Sequence, residues 1–349
     1  MSDSLATTDR LGLHTWYYRT DGQGFADSIR KLLQEPPTPT KELDAVGVQE
    51  YLQRRPSGCR SCFRAVRPVP AGCRLVEDAG GYQVCDSCPP ALSECSLASA
   101  LENAIEGILA DNRPTALALS GGLDSAVLLG LVLRAAGRIV PVYTLAPAMS
   151  GYCELAQTQE TARALGLSGL RVVEVGESDF VEALPDAIAA AEVPLFNLHP
   201  VSKLLLARAL KADGVDVLFT GDAADQVVGT SDGRDYLPIV GALFRKAGID
   251  WKTPFAHEKV VAAAESLDKD PEKTALREVS RTWLPEVCVL RPKRPTYAPM
   301  MDLSRYEQPQ LTRRLAEEIG VPWPSLSNDR ERTLWTTLGL LVQQTRGEA

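Results

Sequence analysis

Between residues 115 and 221 short runs of nearly unbroken apolar residues alternate with stretches of helical spacing. The apolar runs are "TALALS", "IVPVYTLA", "LRVVEV" and "VDVLFTG". Between them lie "SAVLLGLVLRAAG", "ELAQTQETARALG", "DFVEALPDAIAAAE" and "HPVSKLLLARALKADG". A strand with no polar side has no face to give to water, so this alternation implies a parallel sheet with helices on both faces. A further helix precedes the series. In "SLASALENAIEGILADN", Leu97, Leu101, Ile105 and Ile108 share one face. The fold class expected is α/β. Beyond residue 240 the pattern is mostly helical, with breaks at "RPKRPTYAP" and "VPWPSLS".

Residues 1–95 read differently from residues 96–349, and a chain of 349 residues has room for two such units. The first part is irregular, with short strand-like pieces. "CRLVEDAGGYQVC" reads as a hairpin turning at Gly80-Gly81. Six of the eight cysteines fall between residues 59 and 95. Cys59-x-x-Cys62 and Cys85-x-x-Cys88 have the spacing of a structural zinc site, and zinc would stabilise a segment whose own core is small. Disulfides, buried thiols and a redox pair are the alternatives, with Cys73 and Cys95 as spare ligands. Cys153 and Cys288 read as small buried residues or as a sulfur-transfer pair.

The joint "SGGLDS", residues 120–125, ends one strand and starts the next helix. Glycines let a phosphate approach the backbone, and the free amides of a helix start point at an anion. Ser120 and Ser125 add hydroxyl donors to the Gly121-Gly122 cradle. Asp124 beside a polyphosphate suits Mg²⁺, which takes one or two carboxylates and otherwise phosphate oxygens and water. The alternative is a glycine-rich turn without a ligand. The Lys-Ser/Thr pair of a Walker loop is absent. A second acidic loop, "DAADQVVG", follows the strand "VDVLFTG", at the sheet edge where open α/β folds bind ligands.

The first loop resembles the PP-loop of the ATP pyrophosphatases. "LFTGDAADQVVG", "AGIDWKTPFAHEKVVAAAESL" and "TWLPEVCVLRPKRP" resemble, in order, three blocks of the asparagine synthetases. The resemblance covers about residues 96–300. It implies ATP and Mg²⁺ as cofactors, with Asp124 and Asp225 holding the metal and Ser120, Gly121, Gly122 and Ser125 cradling pyrophosphate. Leu145 and Gly221 fall beside the nucleotide. Lys293 matches a lysine that stabilises charge on the acyl phosphate or the leaving pyrophosphate. Asp222 stands where the family varies; an acid there takes a proton from an attacking amine or merely holds the loop. Glu192, before Val193-Pro194, is a weaker candidate for metal or substrate contact. The departures are Gln226 for Glu, Ala223 and Thr230 for glycines, Lys252 for Arg, and Ala256-His257 for Leu-Asp. They put aspartate as the activated acid in doubt.

"FADSIRKLLQEPPTPTKELDAVGVQEYLQRRP" and "FRAVRPVPAGCRL" resemble the last part of the glutaminase domain of the same enzymes. Residue 2 is Ser2 where those enzymes have a cysteine nucleophile, so a shortened, inactive remnant is expected. The function expected is an AMP-forming ligase that adenylates a carboxylic acid and passes it to a nitrogen nucleophile. A sulfur-insertion enzyme acting on tRNA and an inactive binding module are the alternatives. The net charge of −8 argues against a nucleic-acid partner. No apolar run is long enough to span a membrane, and the N-terminus lacks a secretory layout, so a cytoplasmic location is expected. The partners expected are the acid and the nucleophile. A separate ammonia-supplying or carrier protein, and a homodimer, remain open.

Overall fold

A computed structural model describes residues 4–78, 81–87, 95–135, 140–231, 233, 236–293, 298–324, 326 and 328–347. The N-terminal part carries strands β1 (Ser4–Thr7), β2 (Tyr17–Arg19) and β3 (Phe25–Ala26), then helices α1 (Ile29–Gln34) and α2 (Ala45–Leu52). Strands β4 (Val66–Pro68), β5 (Cys73–Asp78) and β6 (Gly81–Asp86) complete two antiparallel sheets, ordered β1-β5-β6 and β3-β2-β4. The expected hairpin is β5–β6. Asp78 pairs with Gly81, which puts the link at residues 79–80, outside the described residues.

From α3 (Leu97–Leu109) the chain enters the α/β part. There β7 (Thr115–Ala118), α4 (Leu123–Arg134), β8 (Val142–Pro147), α5 (Leu155–Ala164) and β9 (Leu170–Val175) alternate. Helices α6 (Glu177–Ala191) and α7 (His199–Ala212) lead to β10 (Val217–Phe219), α8 (Ala224–Val227), α9 (Leu237–Lys246) and β11 (Asp250–Lys252). The remainder is helical: α10 (Glu258–Ala264), α11 (Thr274–Ser280), α12 (Glu286–Val289), α13 (Pro309–Glu318) and α14 (Asp329–Arg346).

The sheet has five parallel strands, ordered β11-β10-β7-β8-β9. Successive residues of its central strands enter different apolar clusters, as pleating requires. Leu117, Val142 and Phe219 pack with α3 and α4. Ala116, Tyr143 and Leu218 pack on the other face with α7 and α9. The covered parallel sheet is therefore as the apolar runs indicate. Strand β11 is an addition. Its three residues "DWK" are half-polar and lie on the sheet edge, too short for a period to be read.

The two parts of the chain share a core. Ile29, Leu32, Leu33 and Phe63 pack in one cluster with Phe180, Leu184 and Ile188 of α6 and Leu338 and Leu341 of α14. Each fully buried side chain of this size contributes roughly 1.5–3 kcal/mol, so the N-terminal helices are held by burial. No described helix is long and apolar enough to cross a membrane.

Candidate active site

Strand β7 continues its pairing one step past its end, where Leu119 N–H donates to the Tyr143 carbonyl at 2.8 Å. The chain then leaves the sheet at Ser120. Ser120 N–H donates to Ser125 Oγ at 3.0 Å, and Gly122 N–H donates to Ser120 Oγ at 3.2 Å. The two hydroxyls lie 3.0 Å apart. Gly122 caps α4 without a side chain of its own, so the first-turn amides of this 12-residue helix have no side-chain acceptor from the cap. Leu145, two residues beyond Tyr143 on the neighbouring strand, lies at the same carboxyl edge of the sheet.

Gly221, just past β10, closes the site from the other side. A Cβ there would lie 2.8 Å from Ser125 N and 2.9 Å from Asp124 Cβ, so only glycine lets the two loops touch. Ala223 follows with φ 72, a left-handed backbone that alanine adopts only under strain. This strained turn begins α8 and delivers Asp225 towards Asp124.

Two lysines meet the two carboxylates. Lys273 Nζ donates to Asp124 Oδ1 at 2.7 Å and Oδ2 at 2.6 Å, and lies 2.8 Å from Asp225 Oδ1. Lys293 Nζ donates to Asp225 Oδ1 at 2.6 Å. Lys273 is only 4% exposed. Burial raises the Asp124 carboxyl above its usual range despite the neighbouring ammonium. At Asp225 burial works in the same sense, but the charge and hydrogen bond of Lys273, joined by Lys293, hold the carboxyl below its usual range. Lys273 is driven above the ordinary lysine value: burial opposes this, and the two carboxylates outweigh it.

Asp222 faces away from this quartet. It accepts from Lys203 Nζ at 3.1 and 3.0 Å, from Thr220 Oγ1 at 2.7 Å and from the Tyr236 hydroxyl at 3.3 Å. Burial would raise this carboxyl, but Lys203 and Thr220 hold it low. Tyr236 stacks on His199, whose Nδ1 lies 2.9 Å from the Tyr152 hydroxyl. Burial, reinforced by the charge of Lys203, lowers His199 to about 4, so its imidazole is neutral at pH 7. A partly buried polar string, Tyr152–His199–Tyr236–Asp222–Lys203, thus stands beside the 120–125 loop.

Glu192 does not join the site. It ends α6 in a left-handed turn and accepts from Ser28 Oγ at 2.8 Å, Ile29 N–H at 2.6 Å and Arg30 N–H at 2.8 Å. It caps α1 and fastens the N-terminal part to the α/β part, which corrects the expectation of metal or substrate contact. Of the expected zinc quartet, three cysteines lie within the described residues, and Cys62 stands apart from the other two. Cys62 is fully buried in the apolar cluster behind Phe63, where burial pushes its thiol far up, while Cys59 is exposed and Cys85 sits on β6. Cys88 lies outside the described residues. Among the described residues no group of three or more His, Cys, Asp or Glu side chains suits a metal ion. Cys288, the second thiol of the sulfur-transfer alternative, is 1% exposed, and burial raises its thiol, while Cys153 is exposed.

Lys273, Lys203, Tyr236 and His199 escaped the reading of the sequence. Lys273 stands 149 positions from Asp124, in the charged turn "DKDPEKT" that reads as solvated. The available signal was its place just ahead of the block that ends in Lys293.

The donors here fit Mg²⁺. Asp124 and Asp225 share one cation already, and Mg²⁺ asks for one or two carboxylates beside phosphate oxygens and water. Residues 96–246 match the family described as asparagine synthase. Among curated proteins, Amidase chyE of Penicillium rubens is 30% identical over 127 residues, 32% of this chain and 19% of that protein. Amidase chry2 of Gibberella zeae is 30% identical over 133 residues, 34% of this chain and 20% of that protein. The aligned stretch is thus about a fifth of each relative. The NH3-dependent NAD synthetase of Campylobacter jejuni is a structural neighbour with a TM-score of 0.28 and 18% identity, covering 38% of this chain and 58% of that one. The stretch that builds the phosphate loop and both carboxylates, residues 96–246, is the asparagine synthase-like part of the chain.

Proposed function

We propose that the protein is an ATP-dependent, AMP-forming ligase that makes an amide or related N-acyl bond. The observation that carries this is the convergence of the 120–125 loop, Asp124, Asp225, Lys273 and Lys293 at one edge of the sheet. The match of residues 96–246 and the name amidase borne by two partial relatives support the amide product.

In this reading a substrate carboxylate oxygen attacks the α-phosphorus of ATP, the bond to the β-phosphate breaks, and pyrophosphate leaves. The nitrogen lone pair then attacks the acyl carbon, the nitrogen sheds a proton, and AMP departs. Ser120, Gly121, Gly122 and Ser125 hold the pyrophosphate moiety by hydroxyls and amides. Asp124 and Asp225 would hold Mg²⁺, which neutralises phosphate charge when bound. Lys273 and Lys293 place fixed cations where negative charge develops, an arrangement that lowers a barrier without reorganisation. Asp222 is a weak base, because Lys203 holds its carboxyl low. Its proposed task is to orient the nucleophile through Tyr236 and its own oxygens. Ammonia or an amine serves as nucleophile, supplied free or by a separate protein.

The test is to incubate the protein with Mg-ATP and panels of acids and amines, quantifying AMP, pyrophosphate and the acyl product by mass. An amide formed in step with AMP is expected, and Asp124→Ala should lower the rate at least about a hundredfold. Formation of ADP and phosphate, or full activity in Asp124→Ala, would refute the reading.

A further inference from the structure

Two largely buried arginines tie the 120–125 loop and the segments of Lys273 and Lys293 together. Arg291, two residues before Lys293, has a side chain only 13% exposed. Its Nη1 donates to the Gly121 carbonyl at 2.9 Å, the Gln157 carbonyl at 3.1 Å and Thr161 Oγ1 at 2.6 Å. Its Nη2 donates to Glu160 Oε2 at 2.6 Å. Arg277 of α11 has a side chain 15% exposed. It donates through Nε to the Glu272 carbonyl at 2.7 Å, and through Nη1 to the carbonyls of Val289 and, at 3.0 Å, Arg291. The Glu272 carbonyl belongs to the peptide that leads into Lys273. One guanidinium therefore joins the Lys273 turn to the Lys293 segment, and the other joins that segment to the loop.

We infer that Arg291 and Arg277 are positioning residues that hold the phosphate loop and its two lysines in the geometry for pyrophosphate. In a trans peptide the carbonyl and the following N–H point in opposite directions. By drawing the Gly121 carbonyl outwards, Arg291 turns the Gly122 N–H inwards, where it meets Ser120 Oγ. A planar guanidinium spreads its donors over separate nitrogens, so Arg291 holds the Gly121 carbonyl of the loop together with acceptors along α5; a lysine ammonium gathers its three donors on one atom. Neither arginine touches Asp124, Asp225 or the reacting atoms, so each acts through the groups it orients.

This inference rests on the reaction proposed above, and its test is arranged so that the two can fail separately. Binding of Mg-α,β-methylene-ATP, which resists cleavage at the reacting bond, is measured by calorimetry for the wild type, Arg291→Ala, Arg291→Lys and Arg277→Ala. Circular dichroism checks that each is folded. Arg291→Ala is expected to weaken binding about tenfold, with guanidinium at millimolar concentration restoring most of it. Lys293→Ala, measured alongside, should gain nothing from guanidinium. Where turnover is available, Arg291→Ala should lose about a hundredfold in kcat. Arg291→Lys serves if the alanine variant does not fold, and should also bind poorly, because its charge is kept and its fork lost. A folded Arg291 variant with nucleotide affinity within threefold of wild type overturns the inference, as does equal response of Arg291→Ala and Lys293→Ala to guanidinium. Wild-type protein that binds the analogue yet makes no amide from any acid overturns the proposed reaction and leaves the clamp standing on affinity alone.

Discussion

Lys273 is the residue most altered by folding: a charge in a polar turn becomes a buried cation between two carboxylates. Asp225 keeps Lys293 when Lys273 is removed, but Asp124 loses its cation, and breaking a buried pair in this way costs up to about 3–5 kcal/mol. Lys273→Met is therefore expected to destabilise the nucleotide-free protein by an amount of that order in denaturant unfolding, and Mg²⁺ alone should recover part of it. Unchanged stability would mean that the three groups do not meet. His199 gives a pH signature. The unfolded chain takes up its proton near the ordinary histidine value of 6.5, whereas the folded protein resists until about 4. The unfolded state thus binds more protons between those values, so this group's contribution is complete above pH 6.5 and is lost progressively as pH falls towards 4. The loss amounts to roughly 3 kcal/mol over the window, and His199→Gln should flatten that limb of the stability curve. An unchanged slope in the variant would show that another group sets it. Asp124, Asp225 and Lys293 were legible in the sequence because each sits in a short local block. Lys273, Lys203 and His199 were not, since their partners arrive from distant elements and nothing local marks a lysine or histidine as buried.

At the scale of elements, α1 shows what binds the N-terminal part. It has six residues, too few to persist alone in water. Burial of Ile29, Leu32 and Leu33 holds it, together with the Glu192 carboxylate on its first amides. Hydrogen bonds to a charged group contribute about 1.5–3 kcal/mol each. Glu192→Ala should accordingly lower stability by at least about 2 kcal/mol and raise amide exchange at Ile29 and Arg30, with little effect on nucleotide affinity. Loss of nucleotide binding with α1 intact would instead restore Glu192 to the site. The sequence shows that an acid ends α6 before a proline, but not which helix start it meets. The hairpin β5–β6 and four of the five strands of the parallel sheet, β7 to β10, were legible from alternation and apolar runs. Strand β11 was not, because three residues carry no period.

Across the whole molecule the covered parallel sheet brings its strand ends to one edge, and the chemistry gathers there. Residues 96–246 supply the loop and both carboxylates, while the two lysines arrive from beyond that stretch. The helical remainder thus completes the cluster of carboxylates and lysines. Cys59 and Cys62 are close in sequence, yet the fold turns Cys62 into the apolar core and leaves Cys59 exposed. In the proposed reaction this edge splits ATP between the α- and β-phosphates to activate an acid. Isotope exchange between labelled pyrophosphate and ATP, in the presence of Mg²⁺ and a turnover-supporting acid but no nitrogen donor, tests it most directly. Label entering ATP only when the acid is present, and lost in Asp225→Asn, is the expected result. A protein that makes its product without any such exchange, and releases ADP in place of AMP, would contradict it.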